Sequence, residues 1–242
     1  GYQRTGMAWD DFDTIIDLAK TIGQTRRLAL RGLLTHAGHT YQARSKQAII
    51  EIYTETVSRM KAVQDQLAIE GFLGLEVSIG DTPSCSIVKN FRDIDEIRPG
   101  NFVFYDVMQL TLGVCAEYDI AVAVACPVVA KHSERNEIIL YGGAVHLSKE
   151  FITKSLAGSG ETKIYGYVAL PEQQGWGASL KTTYVSGLSQ EHGIVKTDHT
   201  FCQQVQIGDI LMVLPIHSCL TAHLLRKYLT LEGELIELAS LI

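Results

Sequence analysis

The sequence predicts an α/β protein, a partial (β/α)8 barrel followed by an antiparallel β-domain. Three observations carry that expectation. Helix-like and strand-like segments alternate over the first 110 or so residues. Only short, turn-bounded strands come after about residue 111. The alternating part is long enough for three or four barrel units, whereas a full eight-unit barrel takes about 250 residues. The expected division is therefore 1–110, later units of a barrel, and 111–242, a mostly antiparallel β-domain.

A helix comes first. In AWDDFDTIIDLAKTI (8–22), Phe12, Ile15, Ile16, Ala19 and Ile22 recur at helical spacing on one face. RLALRGLLTHAG reads as a buried strand running into a loop. SKQAIIEIYTETVSRMKAVQDQLAIEG is the strongest helix, with Ile49, Ile50, Tyr53, Val57, Met60, Val63 and Leu67 in period and Gly71 as its stop. LEVSIGDTPS predicts a strand and a turn of a kind that can present N–H groups and hydroxyls to an anion, although by composition it reads as an ordinary turn. EIRPGNFVFYD predicts a type II Pro-Gly turn with another strand. Helix, strand, helix, strand is the rhythm of a parallel layer, whose polar strand ends carry the chemistry. DIAVAVACPVVAKH, EIILYGGAVHL, KIYGYVAL, KTTYVSGLSQEHGIVKT and DILMVLPIH then read as antiparallel strands.

Composition narrows the function. The 242 residues are 46% hydrophobic and 20% charged, as in a folded globular chain, and the net charge of −6 leaves no basic face for nucleic acid. The longest apolar run, IAVAVACPVVA at 120–130, is too short to cross a bilayer. The opening GYQRTGMAWDD carries neither the basic start nor the apolar stretch of a secretory signal. Five cysteines without regular spacing read as reduced thiols, so a cytoplasmic protein is expected.

Several short motifs suggest sites. In ILMVLPIHSCL, a strand would place His217 and Cys219 on one face, and imidazole and thiolate are both good zinc donors. Two ligands are too few for a closed structural zinc and suit a metal left open to substrate. Taken alone, the pair reads more readily as a buried thiol beside an incidental histidine. THAGHTY places His36, His39 and Tyr41 after a strand, where proton-transferring groups line sites but also occur on plain loops. SIGDTPS offers Thr82 and Ser84. LSQEHG holds Glu191 and His192 in what reads by default as a satisfied turn.

The ordered set GYQRTG, GLLTHAGHTY, SIGDTPS, EIRPGNFVFYD, LSQEHG and PIHSC resembles the D-threonine aldolase and D-serine dehydratase family, over essentially the whole chain. These are pyridoxal-phosphate enzymes of the alanine racemase fold. The resemblance implies that Arg4 reaches the cofactor ring region and that His36 lies against the ring. Tyr41 is implied near the substrate, so that Arg4, His36 and Tyr41 form the catalytic set. Thr82 and Ser84, with backbone of Gly100 and Asn101, are implied to hold the phosphate, and Arg98 to lie near the pyridine nitrogen. His217 and Cys219 match the metal pair, zinc in the dehydratase type, and Cys219 tilts the reading towards that branch. Glu191 and His192 fall in a nearby β-domain loop.

The resemblance thus implies a pyridoxal-phosphate- and metal-dependent lyase acting on a D-3-hydroxy amino acid, by dehydration of D-serine or retro-aldol cleavage of D-threonine, and a homodimer. A metal-independent amino-acid racemase and an inactive fragment stay open. The family's Schiff-base lysine lies on the first barrel strand, well before the GxxRtG segment, and nothing here corresponds to it; Lys131, Lys149 and Lys181 lie in other contexts. The expectation is a C-terminal part of a longer protein, starting near the fourth barrel strand.

Overall fold

The computed structural model describes residues 4–156 and 160–239. Residues 1–3, which open the GYQRTG segment, lie outside the described residues. The chain divides into two compact units: Gly1–Phe102 with Leu112–Val114, and Val103–Thr111 with Cys115–Ile242. No helix among the described residues is long and apolar enough to cross a membrane.

The first unit is a parallel β-sheet with helices on one face. Helix α1, Phe12–Gln24, starts where the Asp11 carboxylate accepts the Thr14 N–H at 3.3 Å. Strand β1, Gly32–His36, leads into a 3-10 turn at Gly38–Gln42. Helix α2, Lys46–Ile69, is capped by Ser45 and succeeded by Gly71 in the left-handed region at φ +91°. Strand β2, Glu76–Gly80, pairs in parallel with β1, from Gly32↔Glu76 to His36↔Gly80. Helix α3, Thr82–Ile87, comes next, and strand β3, Glu96–Ile97, pairs in parallel with β2.

Side chains alternate along each strand. Val77 and Ile79 pack against Tyr53, Val57 and Met60 of α2, while Leu33 joins Ile15, Ala19, Val63 and Leu67. The opposite face therefore carries Leu34 and His36 of β1, beside Ser78 and Gly80 of β2. Leu34 is 69% exposed.

Two expectations for this unit are corrected. The stretch after Pro99-Gly100 is a single 3-10 turn, Asn101–Val103, not a strand, because the Asn101 N–H donates to Thr82 Oγ1 at 3.0 Å rather than to a neighbouring strand. Gly100 also lacks the positive φ that the second central position of a type II turn requires.

The second unit begins with helix α4, Val107–Thr111. Its centre is a closed six-stranded antiparallel barrel. The barrel strands are β4, Val124–His132; β5, Glu137–Tyr141; β8, Gly166–Ala169; β11, Tyr184–Leu188; β12, His192–Lys196; and β13, Ile210–Pro215. Strands β6, Ile152–Leu156, and β7, Gly160–Ile164, form a separate antiparallel pair, as do β9, Pro171–Glu172, with β10, Gly175–Trp176.

Closure buries alternate residues inward: Val128, Ile138, Leu140, Val168, Val185, Val195, Leu211 and Val213 share one core. Helices α5, Ala144–Leu147; α6, His199–Gln204; and α7, Ser218–Leu225, interrupt the strand pattern. Strands β14, Lys227–Leu229, and β15, Leu235–Glu237, pair at the end.

Candidate functional site

In the first unit, strand β1 with helices α1 and α2 borders an open cleft of about 1150 Å³ whose lining includes Arg4, Thr35, His36, His39 and Arg98. Arg98 is tied down on both strands. Its Nε donates to Ser78 Oγ at 2.7 Å, and one Nη donates to the carbonyls of Thr35 at 2.7 Å and Ser78 at 3.2 Å. Glu96 stands 3.7 Å from its Nε. Gly80 makes this possible: a Cβ there would lie 3.0 Å from both an Arg98 Nη and the Arg98 carbonyl. Desolvation holds the His36 imidazole below its ordinary pKa; Asp81 opposes this, and the Arg4 and Arg98 charges add to it. The imidazole is thus kept neutral near pH 7. His39 is lowered as well, by burial first, and its buried Nδ1 has no hydrogen-bond partner.

A second cluster lies just past β2. Asp81 caps α3, its Oδ1 accepting the Ser84 N–H at 2.7 Å and the Thr40 hydroxyl at 3.0 Å. The SIGDTPS segment thus contains a capped helix start, with the Ser84 N–H committed to Asp81. The Ser84 hydroxyl differs: it is buried, 1% exposed, and has no hydrogen-bond partner. A Cβ on Gly100 would meet nothing within 4 Å. Of the residues expected from sequence, Arg4, His36 and Arg98 meet on the cleft, whereas Thr82, Ser84 and Asn101 form this buried cluster and Tyr41 sits in the 3-10 turn after β1. Asp81 is missing from that reading, although an aspartate directly before Thr-Pro, at a strand end, is a recognisable helix-start pattern.

In the second unit, the placement of His217 and Cys219 is corrected. Strand β13 ends at Pro215, so the alternation of a strand does not govern the pair. His217 is instead the N-cap residue of α7, and Cys219 lies in its first turn. The helix begins here because Ser218 is captured by an earlier segment: its Oγ donates to the Tyr105 carbonyl at 2.6 Å and its N–H to Asp106 Oδ2 at 3.2 Å. The His217 side chain makes no cap hydrogen bond. Burial, and then the Asp106 charge, push the Cys219 thiol above its ordinary pKa. Among the described residues, no group of three or more His, Cys, Asp or Glu is placed to hold a metal ion.

The LSQEHG segment is well satisfied. Ser189 and His192 exchange hydrogen bonds across the turn, and the Glu191 carbonyl accepts the Gly142 N–H at 2.9 Å. The rings of His146 and His192 flank Tyr141 at 5.0 and 6.2 Å. Lys131 is committed to the Val205 and Gln203 carbonyls, while Lys149 and Lys181 are exposed. All five cysteines are free thiols.

A short parallel sheet covered by helices and a closed antiparallel barrel are the parts of an alanine-racemase-like protein, and solved structures bear this out. An alanine racemase-like protein from Idiomarina loihiensis superposes with a TM-score of 0.83 at 26% identity, covering 97% of this chain and 61% of that one. A D-threonine aldolase from Filomicrobium marinum gives 0.71 at 18% identity, covering 98% and 59%, a likeness of fold alone.

Residues 121–231 match the family described as putative serine dehydratase domain, in line with the resemblance read from the motifs. D-threo-3-hydroxyaspartate dehydratase of Delftia sp. is 25% identical over 96% of this chain and 60% of its own length. D-serine dehydratase of Dictyostelium discoideum is 28% identical over 97% and 59%. The chain thus spans about 60% of the length of the relatives it matches. Solved forms of the Delftia enzyme, TM-score 0.81 and 24% identity, include a cysteine-to-alanine mutant described as metal-free and a histidine-to-alanine mutant; they cover 98% of this chain and 61–62% of their own.

Proposed function

We propose that the chain carries the later barrel segment and β-domain of a pyridoxal-phosphate- and metal-dependent lyase, which dehydrates a D-3-hydroxy amino acid such as D-serine. The observation that carries this reading is the histidine–cysteine pair at the start of α7, inside the segment matching the serine dehydratase domain. In the Delftia enzyme, the histidine and cysteine whose mutants were solved also stand two positions apart.

The residues suit both groups. An imidazole not spent on capping and a half-buried thiol are a nitrogen and a sulfur donor for zinc. The thiol must lose its proton to bind, so metal affinity falls as pH drops. For the phosphate, the unpartnered Ser84 hydroxyl, its neighbour Thr82, Asn101 and the open space at Gly100 supply a hydroxyl donor and room for an oxyanion. When bound, pyridoxal phosphate supplies an electron sink for the substrate's α-carbon and the metal a Lewis acid for the departing hydroxyl.

The chain's own residues supply the rest. Neutral His36 presents an uncharged face at the end of β1. Arg98, anchored by three hydrogen bonds, holds a fixed positive charge beside it. Arg4 adds a second positive charge on the cleft, able to orient a carboxylate. Tyr41 supplies a phenol for proton transfer near the substrate. His217 and Cys219 would hold the metal as a nitrogen and a sulfur donor. The same resemblance carries the expectation of a homodimer.

The test is an assay of the full-length protein with D-serine, D-threonine and D-threo-3-hydroxyaspartate, monitoring ammonia and aldehyde release. Ammonia release that falls with a chelator and returns with zinc is the expected result. Aldehyde as the product, D/L interconversion without ammonia, or dehydration indifferent to chelator and to Cys219→Ala would overturn the reading.

A further inference from the structure

A fully buried carboxylate stands directly behind the histidine–cysteine pair. Asp106 Oδ1 accepts the Gln109 N–H at 2.9 Å, capping α4, and Oδ2 accepts the Ser218 N–H at 3.2 Å. The neighbouring backbone grips the same segment twice more. The Tyr105 carbonyl accepts the Ser218 hydroxyl at 2.6 Å, and the Met108 N–H donates to the Ile216 carbonyl at 3.3 Å. Ser218 lies between His217 and Cys219, so these contacts fix the backbone from which both donors project. Asp106 is 112 positions away in sequence, and the contact with Ser218 is made inside the core.

The backbone here is itself forced. Tyr105 adopts φ +47°, a region that L side chains rarely enter, and holds it where its carbonyl meets Ser218. Strain of this kind persists only where the surroundings over-determine it, and it clusters at working sites. A carboxylate bonded to a main-chain N–H is also a strong, directional anchor. Nothing in a merely stabilising contact requires that it fall on the single residue separating two metal donors.

The geometry points to Asp106 as a positioning residue for the metal pair: its carboxylate holds the Ser218 N–H, and so sets where the His217 imidazole and the Cys219 sulfur can meet one ion. The inference rests on the reading of that pair as a metal site. Ligand-supporting groups of this kind are worth roughly 10- to 100-fold in metal affinity.

The experiment is a cobalt(II) titration of the full-length protein after metal removal, read through the thiolate-to-cobalt charge-transfer band, with circular dichroism and Tm measured alongside. Wild type is expected to give a band that Cys219→Ala abolishes. Asp106→Asn keeps the shape but replaces one accepting oxygen with a donor. It is expected to bind cobalt at least tenfold more weakly, with an altered band, while retaining the wild-type circular dichroism.

Ser218→Ala keeps the N–H and is expected to bind within threefold of wild type. Folded Asp106→Asn with wild-type affinity and spectrum overturns the inference while leaving the metal site standing. So does a loss in Ser218→Ala as large as in Asp106→Asn, which would assign the anchoring to the hydroxyl. Should Asp106→Asn not fold, Ser218→Pro carries the test. Proline at the first helical position removes the same N–H at a compatible φ, and unchanged cobalt affinity there overturns the inference equally. A wild type with no Cys219-dependent band removes the metal reading itself, and this inference with it.

Discussion

Replacing Arg98 by methionine tests how the end of the parallel sheet is held. The stem is kept and the guanidinium removed, so the loss falls on three hydrogen bonds, two of 2.7 Å and one of 3.2 Å. Hydrogen bonds to a charged partner contribute about 1.5–3 kcal/mol each when well enclosed. The Arg98 side chain is 31% exposed, however, and water can reach the carbonyls it leaves behind. The expected net cost is therefore about 2–3 kcal/mol rather than the sum of three full bonds. Urea unfolding monitored by fluorescence measures it, since the partly buried Trp9 packs against the core of this unit. Removing the guanidinium also removes one of the charges that lower the His36 pKa, so His36 should titrate at higher pH in the variant, as read by NMR. A cost below about 0.5 kcal/mol, which is typical of plain surface sites, or an unmoved or lowered His36 pKa, would show that Arg98 is not the clamp described.

Three further outcomes are expected. Gln109 is fully buried with both amide atoms unpartnered, so Gln109→Met, nearly equal in volume, should stabilise the second unit by about 1 kcal/mol and raise Tm; a lowered Tm would mean that the amide has a use. A Cβ at Gly143 would lie 2.4 Å from the His192 nitrogen and 2.5 Å from the Gln190 carbonyl oxygen, main-chain atoms that cannot rotate aside. Gly143→Ala should cost about 1–3 kcal/mol, measured by chemical denaturation. Glu137 is held below the ordinary carboxylate range by Lys196 first and then Arg135. A lowered folded-state pKa gives stability that is present above the unfolded value and lost as pH falls through the folded one. Glu137→Gln should therefore destabilise at neutral pH, with a penalty that fades under acid conditions; a penalty independent of pH would remove the ion pairs from the account.

The legible parts of the fold are those governed by local period. The face Ile49, Tyr53, Val63, Leu67 marked α2, and the short apolar run Ile138, Ile139, Leu140, closed by Gly142 and Gly143, marked a strand. The partners of those strands were not legible, because the pairings of β5 with β12 and β4 with β13 join segments some 50 to 90 positions apart, and no local signal encodes them. The His217–Cys219 pair was visible as chemistry but misplaced as geometry. Its helix starts where Tyr105 and Asp106 capture Ser218, a contact with no sequence signature. Asn101 missed its strand for the same reason, since Thr82 takes its N–H from across the sheet end.

The two sheets differ in how they finish. The antiparallel barrel closes on itself and leaves no ragged margin, whereas β1 ends the described parallel sheet with unmatched peptide groups along one side and the greasy Leu34 standing beside them. Such a ledge zips readily onto any extended segment, a second molecule included. At high concentration these 242 residues should therefore clump through that seam, and a lysine or proline placed along it would be the first remedy to try.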